Sequence, residues 1–307
     1  MNVESEIQTM KNILILIASL VFFVACEKGG DNPDGGNPGG GNIPSSVILT
    51  IGDNISYDYD EIHLYDSSSH VLIFKEIHPE FDKLKDVPFG ICAAGDTVYQ
   101  GQFWPAYLSS MPAGAYISNN PLFLQDYALK IDFQSSNSNI RDLRNDPSFI
   151  KELTDRNLLH SGLAVKISKI ESNGSLISLT FTVTNMDNVN LLVLDPDLVG
   201  VNVFHYFTNG LSIKNISTSA ITHVTIPPKA PVPLNGFLPT WLSSLSPSTT
   251  KSYTFLYSLG TALSPGEYSV TFLYPGLTSQ VDIMNLYQKG TRIWLGDVTV
   301  TGKMTIK

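Results

Sequence analysis

The chain carries its densest cluster of aromatic side chains in the segment Gln102-Phe-Trp-Pro-Ala-Tyr107. Aromatic faces that are exposed on a sheet or a loop can stack on sugar rings, whose C–H faces are apolar. The proline after Trp104 favours a strand end at this point, and loops at strand ends commonly carry ligand-binding residues. We therefore take Phe103, Trp104 and Tyr107 as candidate ligand-binding residues. The alternative is that these rings close one end of a hydrophobic core.

Two other segments carry side chains that can bind metal ions. The segment His78-Pro-Glu-Phe-Asp82 presents an imidazole and two carboxylates, but a zinc site needs three or four ligands that converge in a defined geometry. The acidic residues between Asp53 and Glu61 offer oxygen ligands for calcium, yet they lack the regular alternation and the bend glycine of a calcium-binding loop. We expect a solvated turn at the acidic residues, no metal site and no cofactor.

Patterns typical of catalysis are missing from the sequence. It contains no Gly-x-Ser-x-Gly motif, no His-Glu-x-x-His motif and no glycine loop of the phosphate-binding kind. The six histidines are scattered along the chain, where they are usually structural. Cys92 lies in the apolar segment Pro88–Ala93 and is expected to be a small buried hydrophobic residue. The sequence thus favours a protein without catalytic activity.

An apolar leader precedes Cys26, the first of the two cysteines in the chain. Residues 13–25 carry no charge and follow the basic residue Lys11, which is the order of a signal peptide. The run is too short to cross a bilayer as a helix, which needs about 20 apolar residues. Because acidic residues within residues 1–9 do not suit a signal peptide, we expect translation to start at Met10.

The residues that end the leader, Phe23-Val-Ala-Cys26, resemble a bacterial lipobox. The resemblance implies that residues 1–25 are removed and that Cys26 is lipidated and becomes the first residue of the mature protein. Residues 27–46 are rich in Gly, Asn and Pro, cannot form a core, and predict a flexible tether that spans roughly 25 Å. Lipobox and tether together resemble those of Bacteroidetes outer-membrane lipoproteins over residues 10–46.

This resemblance implies a location in the cell envelope, anchored to the membrane by lipid on Cys26. Position 27 is Glu rather than Asp, so the best-known signal for retention at the inner membrane is absent. We therefore expect the protein at the outer membrane, facing the exterior. The net charge of −9 and the lack of a strongly basic stretch argue against nucleic acid as a partner and against a polybasic membrane patch.

From Val47 onward, short segments of alternating apolar and polar residues are separated by turn residues. This pattern predicts a mainly β fold with two β-sandwich-like domains, an N-terminal one over residues 47–160 and a C-terminal one over residues 161–307. One short helix is predicted near residues 147–156. There Asp146 and Pro147 form a helix start, and Phe149 and Leu153 share one face.

The C-terminal domain carries two motifs, Thr182-Val-Thr-Asn185 and Leu263-Ser-Pro-Gly-Glu-Tyr-Ser-Val270. They look like those of bacterial immunoglobulin-like accessory domains, in which one strand ends in Thr-Asn and a later corner reads Pro-Gly-Glu-Tyr. The resemblance covers about residues 165–307 and implies an immunoglobulin-like β-sandwich. Because such sandwiches carry many unrelated functions, it implies a fold and not a function.

These observations predict a non-catalytic cell-envelope lipoprotein that acts as a surface binding module for a glycan or a protein, with Trp104 and Tyr107 as contacts. The alternative is a structural or assembly subunit of an envelope or fimbrial structure, in which a sheet edge pairs with a strand of a neighbour. A third hypothesis is an enzyme whose site the sequence does not reveal.

Overall fold

The computed structural model describes residues 43–105, 112–119, 126–135, 139–208, 210–224, 226–232, 237–277, 281, 285–288 and 290–307. The predicted signal peptide, Cys26 and residues 27–42 of the tether lie outside the described residues. Within them the protein is mainly β, which confirms the predicted fold class. None of the described helices is long and apolar enough to cross a membrane.

The described strands, in chain order, are β1 (Val47–Ile51), β2 (Ile55–Asp58), β3 (Ile62–Asp66), β4 (Val71–Phe74), β5 (Pro88–Ala93), β6 (Asp96–Pro105), β7 (Gly114–Asn119), β8 (Ala128–Lys130), β9 (Asp132–Gln134), β10 (Leu159–His160), β11 (Leu163–Asn173), β12 (Leu176–Asn185), β13 (Asn190–Leu194), β14 (Leu211–Asn215), β15 (Ile221–Val224), β16 (Leu242–Leu245), β17 (Thr250–Ser258), β18 (Gly266–Pro275), β19 (Tyr287–Gln288), β20 (Thr291–Ile293) and β21 (Asp297–Ile306). The described α-helices are α1 (Pro147–Asp155), α2 (Pro196–Val199) and α3 (Val201–Phe204). Short 3-10 helices cover Tyr59–Glu61, Pro79–Lys83, His205–Phe207 and Pro239–Trp241.

The N-terminal part of the chain forms two sheets. One has the strand order β2-β1-β5-β6-β7-β9 and the other has the order β10-β3-β4-β8. In the larger sheet β6 and β7 run parallel, and the other neighbours are antiparallel. Apolar residues of both sheets, among them Tyr65, Phe74 and Phe103, pack into one buried cluster. The two sheets therefore share a core, as the alternating pattern of half-buried strands requires.

The C-terminal part contains three further sheets with the orders β11-β12-β17, β15-β14-β18-β21 and β16-β13-β20-β19. The first two face each other, and their inner side chains meet around Phe181 of β12. Its ring centroid lies 4.7 Å from that of Phe272 on β18 and 5.3 Å from that of Phe255 on β17. This packing of two sheets is compatible with the predicted β-sandwich.

Helix α1 confirms the predicted helix and ends one residue before the expected end. The side chain of Asp146 accepts a hydrogen bond of 2.9 Å from the backbone N–H of Ser148, and Pro147 occupies the first turn. Phe149 and Leu153 are fully buried. The Phe149 ring packs edge-on against Tyr65, so the helix covers the N-terminal core.

Residues on both sides of the predicted boundary at 160/161 also pack together. Leu64, Val71 and Ile73 belong to the same buried cluster as the core of the C-terminal sandwich. The Tyr127 hydroxyl donates a buried hydrogen bond of 2.7 Å to the carbonyl oxygen of Val281. The division into two domains stays a prediction, but the two parts are joined by an apolar and polar interface.

Candidate functional site

Strand β6 places neighbouring aromatic residues on opposite faces of its sheet, because successive side chains in a strand alternate. Phe103 points inward, is 1% exposed, and packs edge-on against Phe89 with ring centroids 5.8 Å apart. This corrects its place among the candidate ligand contacts, since its ring is part of the core. Trp104 points outward and is partly exposed. Tyr107 lies outside the described residues.

The residues beside Trp104 follow from the strand register. Parallel pairing places Ser118 opposite Trp104 and Tyr116 opposite Gln102, and antiparallel pairing places Asp132 opposite Tyr116. Paired residues lie side by side on the same face of a sheet. We call this group, which consists of Gln102, Trp104, Tyr116, Ser118 and Asp132, the Trp104 face. On the opposite face Phe103 and Ile117 are buried, and Tyr116 is buried on the Trp104 face itself.

The Trp104 face combines an aromatic ring with hydrogen-bonding groups. Gln102, Ser118 and Asp132 are partly exposed and supply an amide, a hydroxyl and a carboxylate. The Asp132 carboxylate lies 2.9 Å from the Lys130 ammonium, which fixes its position. Burial, and then the charge of Asp132, raises the pKa of Tyr116 to about 12, so its hydroxyl stays neutral. Such a face can stack on a flat apolar surface and bind polar groups at its rim.

A second polar cluster lies where the N-terminal and C-terminal parts meet. The Arg292 side chain is fully buried, and its Nη2 donates to Asp66 Oδ2 at 2.7 Å and to Asp187 Oδ2 at 2.8 Å. The Nδ1 atom of His160 lies 2.9 Å from both carboxylate oxygens of Asp187. We call these four residues, Asp66, His160, Asp187 and Arg292, the junction network. No motif in the sequence indicates this network.

The His160–Asp187 pair resembles the pair that orients a catalytic imidazole. Burial would raise the pKa of Asp187, but hydrogen bonds from His160 and Arg292 outweigh it and lower that pKa to about 2. The ionised carboxylate can only accept, so His160 donates its Nδ1 proton to it, and a catalytic imidazole would act through the other ring nitrogen, Nε2. Among the described residues, no hydroxyl or thiol forms a hydrogen bond with that Nε2 atom.

The hydroxyl groups beside the junction network form other hydrogen bonds. Ser67 Oγ donates to the carbonyl oxygen of His160 at 3.2 Å. Ser68 Oγ donates to Asp66 Oδ1 at 2.6 Å and accepts from the backbone N–H of Leu163 and from Trp294 Nε1. These bonds link the N-terminal turn to the C-terminal strands. The arrangement therefore fits a network that fixes the junction between the two parts.

His78 and Glu80, two of the residues that could in principle bind a metal ion, contact other side chains of the fold. His78 contacts the rings of Tyr57, Phe74 and Phe81, and its Nδ1 lies 3.2 Å from Glu80. In the described part of the chain, no three His, Cys, Asp or Glu residues are placed to hold a metal ion. The side chain of Asp82 is outside that description.

The acidic turn and Cys92 have the expected character. The backbone N–H of Asp58 donates to Glu61 Oε2 at 2.7 Å, and Ser46 Oγ donates to Asp58 Oδ1 at 3.0 Å. These bonds close a capped, exposed turn. Cys92 is buried, and its burial raises the pKa of its thiol.

A scan against protein-family models and a search of curated proteins find no match for this chain. The fold defines the protein as a mainly β protein with sandwich-like packing of its C-terminal sheets.

Proposed function

We propose that this protein is a non-catalytic lipoprotein of the cell envelope that binds a glycan on the Trp104 face. The observation that carries the proposal is the position of Trp104, which is partly exposed on a sheet face that also presents Gln102 and Ser118. A protein partner is the alternative ligand, since aromatic rings also anchor protein interfaces.

The chemistry of the Trp104 face suits a sugar ring. One side of a pyranose is apolar and stacks on an indole, while its hydroxyl groups at the edge accept and donate hydrogen bonds. The amide of Gln102 can donate and accept such bonds, and the carboxylate of Asp132 can accept them. Gln102 and Trp104 lie on β6, Asp132 lies on β9 with β7 between these two strands, and β6 is held between β5 and β7. A rigid support of this kind keeps the spacing of ligand-binding groups constant.

The leader sequence is the basis for proposing a lipid anchor. Cys26 follows an apolar run and precedes a tether, and the first described strand starts at Val47, directly after that tether. One acyl chain gives only marginal membrane binding, so we expect Cys26 to carry two chains or more. The tether would hold the fold clear of the lipid headgroups, with the Trp104 face accessible from the exterior of the outer membrane.

The junction network supports a non-catalytic role. Its histidine and carboxylates are the residues best suited to acid–base chemistry among the contacts described above. Arg292 binds both carboxylates, and its side chain is fully buried. Removing such groups from their partners would cost folding stability, which is typical of a structural ion network.

Binding of the purified full-length protein to a glycan array tests the proposal. We expect the wild-type protein to bind a defined set of glycans. Substitution of the stacking ring in Trp104→Ala should weaken that binding about tenfold or more, and Gln102→Ala should weaken it less. The control is Trp241→Ala, which removes a partly exposed tryptophan from the C-terminal part. Thermal unfolding of each variant verifies that it folds.

The absence of glycan binding by the wild-type protein would contradict the proposal. So would glycan affinity that is equal in the wild-type protein and in a folded Trp104→Ala variant. If Trp241→Ala lost binding and Trp104→Ala did not, the glycan site would lie in the C-terminal part.

A further inference from the structure

Strand β17 lies at the edge of its sheet and pairs only with β12 among the described strands. The register is fixed at both ends, since Asn185 N–H donates to Thr249 O at 3.0 Å and Leu259 N–H donates to Ser175 O at 2.7 Å. Hydrogen-bonding groups in an antiparallel strand point alternately to one neighbour and to the other. The odd-numbered residues of β17 therefore bond to β12, and the even-numbered residues direct their N–H and C=O groups outward.

The outward groups belong to Thr250, Ser252, Thr254, Leu256 and Ser258. Within the part of the chain that the structure describes, none of these residues has a further backbone hydrogen bond. All five side chains are exposed on the outer face of the sheet, and Leu256 is 65% exposed. The edge thus offers a continuous row of donors and acceptors that matches an extended strand.

Sheet edges in proteins are usually blocked by charges, by bulges, by prolines or by their short length. Strand β17 has nine residues, no shift in its register, and no charged residue among its outward positions. Its one cation, Lys251, lies at an odd position and pairs with Asp195 at 2.9 Å. None of the usual blocking features is present on this edge.

The other edges in the described part of the chain are blocked or short. Strand β11 carries Lys166 and Lys169 and has a bulge between Ile167 and Lys169. Strand β21 packs against β11, where Gly302 lies against Ile167. The remaining edge strands, β2, β8, β9, β10, β15, β16 and β19, have four residues or fewer.

We propose that β17 pairs antiparallel with β17 of a second copy of this chain, about a two-fold axis at Thr254. In this register Thr254 faces Thr254, Ser252 faces Leu256, and Thr250 faces Ser258. Every outward N–H and C=O group then has a partner, because outward residues meet only outward residues. The contact is self-complementary, as a two-fold interface requires.

The side chains that meet in this pairing favour a second copy. All of them are neutral, so the two strands meet without repulsion although each chain carries a net charge of −9. Thr254 already shares a hydrogen bond of 3.0 Å with Thr180 on β12, and the pairing would continue this row of threonines across the axis. The interface is separate from the Trp104 face, so this proposal does not depend on glycan binding.

Disulfide trapping of the full-length protein in detergent tests the register. Residues that face each other in a hydrogen-bonded antiparallel pair have Cα atoms about 5.5 Å apart, which suits a disulfide. We expect Thr254→Cys to form a covalent dimer under mild oxidation on a non-reducing gel. Thr180→Cys, one strand further from the axis, should remain uncrosslinked. Of the two native cysteines, Cys92 is buried, and Cys26 has no free thiol in the proposed lipidated form.

Light scattering of the same preparations tests the interface itself. We expect a dimer for the wild-type protein and for Thr184→Lys, which adds a charge to the outer face of the central strand β12. Ser252→Lys should shift the protein to a monomer, raising its dimer dissociation constant at least tenfold. A wild-type monomer, an uncrosslinked Thr254→Cys variant, or a dimeric Ser252→Lys variant would overturn the proposal. Crosslinking of Thr254→Cys to a different protein would overturn it as well and would favour a heterologous strand partner.

Discussion

Arg292 and Asp66, which are separated by 226 positions in the sequence, form a fully buried ion pair with an N–O distance of 2.7 Å. Asp187 shares the same nitrogen of Arg292 at 2.8 Å, so one cation holds two carboxylates. The pair connects β3 of the N-terminal part with β20 of the C-terminal part. We infer that the junction network fixes how the two parts pack.

Removal of the shared cation should therefore be costly. In Arg292→Met the carboxylates of Asp66 and Asp187 would remain buried without their partner, and we expect the free energy of unfolding to fall by about 3–5 kcal/mol. Urea unfolding measures this loss. Lys151→Met is the control, because it removes an exposed ion pair with Asp155 and should change the stability by less than about 0.5 kcal/mol. An Arg292→Met variant as stable as this control would contradict the account.

Gly162 tests how closely the backbone approaches the network. A Cβ atom at this position would lie 2.3 Å from Asp66 Oδ1 and 2.2 Å from Ser68 Oγ. Gly174 has the same φ of +61° but has no atom within 4 Å of such a Cβ. In both Gly→Ala variants the left-handed backbone strains the new alanine. Only in Gly162→Ala does the new Cβ atom also overlap the side chains of Asp66 and Ser68.

We expect Gly162→Ala to be about 1–3 kcal/mol less stable than Gly174→Ala, which is the range of overpacking in a folded protein. The difference between the two unfolding free energies isolates the steric term. Equal stability of the two variants would mean that Gly162 does not lie against Asp66 and Ser68.

Asp187 should make the fold sensitive to acid. Its pKa is about 2 in the folded protein and about 4 in an unfolded chain. The ionised carboxylate therefore stabilises the fold above a pH of about 4, and this contribution is lost as the pH falls from about 4 to about 2. We expect the stability difference between the wild-type protein and Asp187→Asn to shrink over this interval. A difference that stays constant down to pH 2 would contradict the ion pair.

Local signals allowed parts of the fold to be predicted from sequence. Asp146 and Pro147 mark a helix start through contacts within a single turn, and helix α1 lies where they indicate. Strand alternation depends on neighbouring residues and is also visible in the sequence. It shows that Phe103 and Trp104 point to opposite faces, but which face is buried depends on the sheet that packs against them.

The junction network could not be predicted because its members come from distant segments. Asp66, His160, Asp187 and Arg292 meet only after the sheets pack, and a buried arginine has no local pattern of its own. One signal was present, since Arg292 precedes the apolar residues Ile293 and Trp294. Trp294 lies in the core, at 1% exposure. Trp294 directly follows β20, so the strand that leads to this buried tryptophan also carries the arginine into the interior.

The account rests most directly on Cys26 as the site of the lipid anchor. Cells that produce the full-length protein are grown with labelled palmitate, and the wild-type protein is compared with Cys26→Ser. The account predicts that the wild-type protein carries the label and partitions with membranes, and that Cys26→Ser carries none and is released. A wild-type protein that stays unlabelled and is recovered free of the membrane would contradict the account.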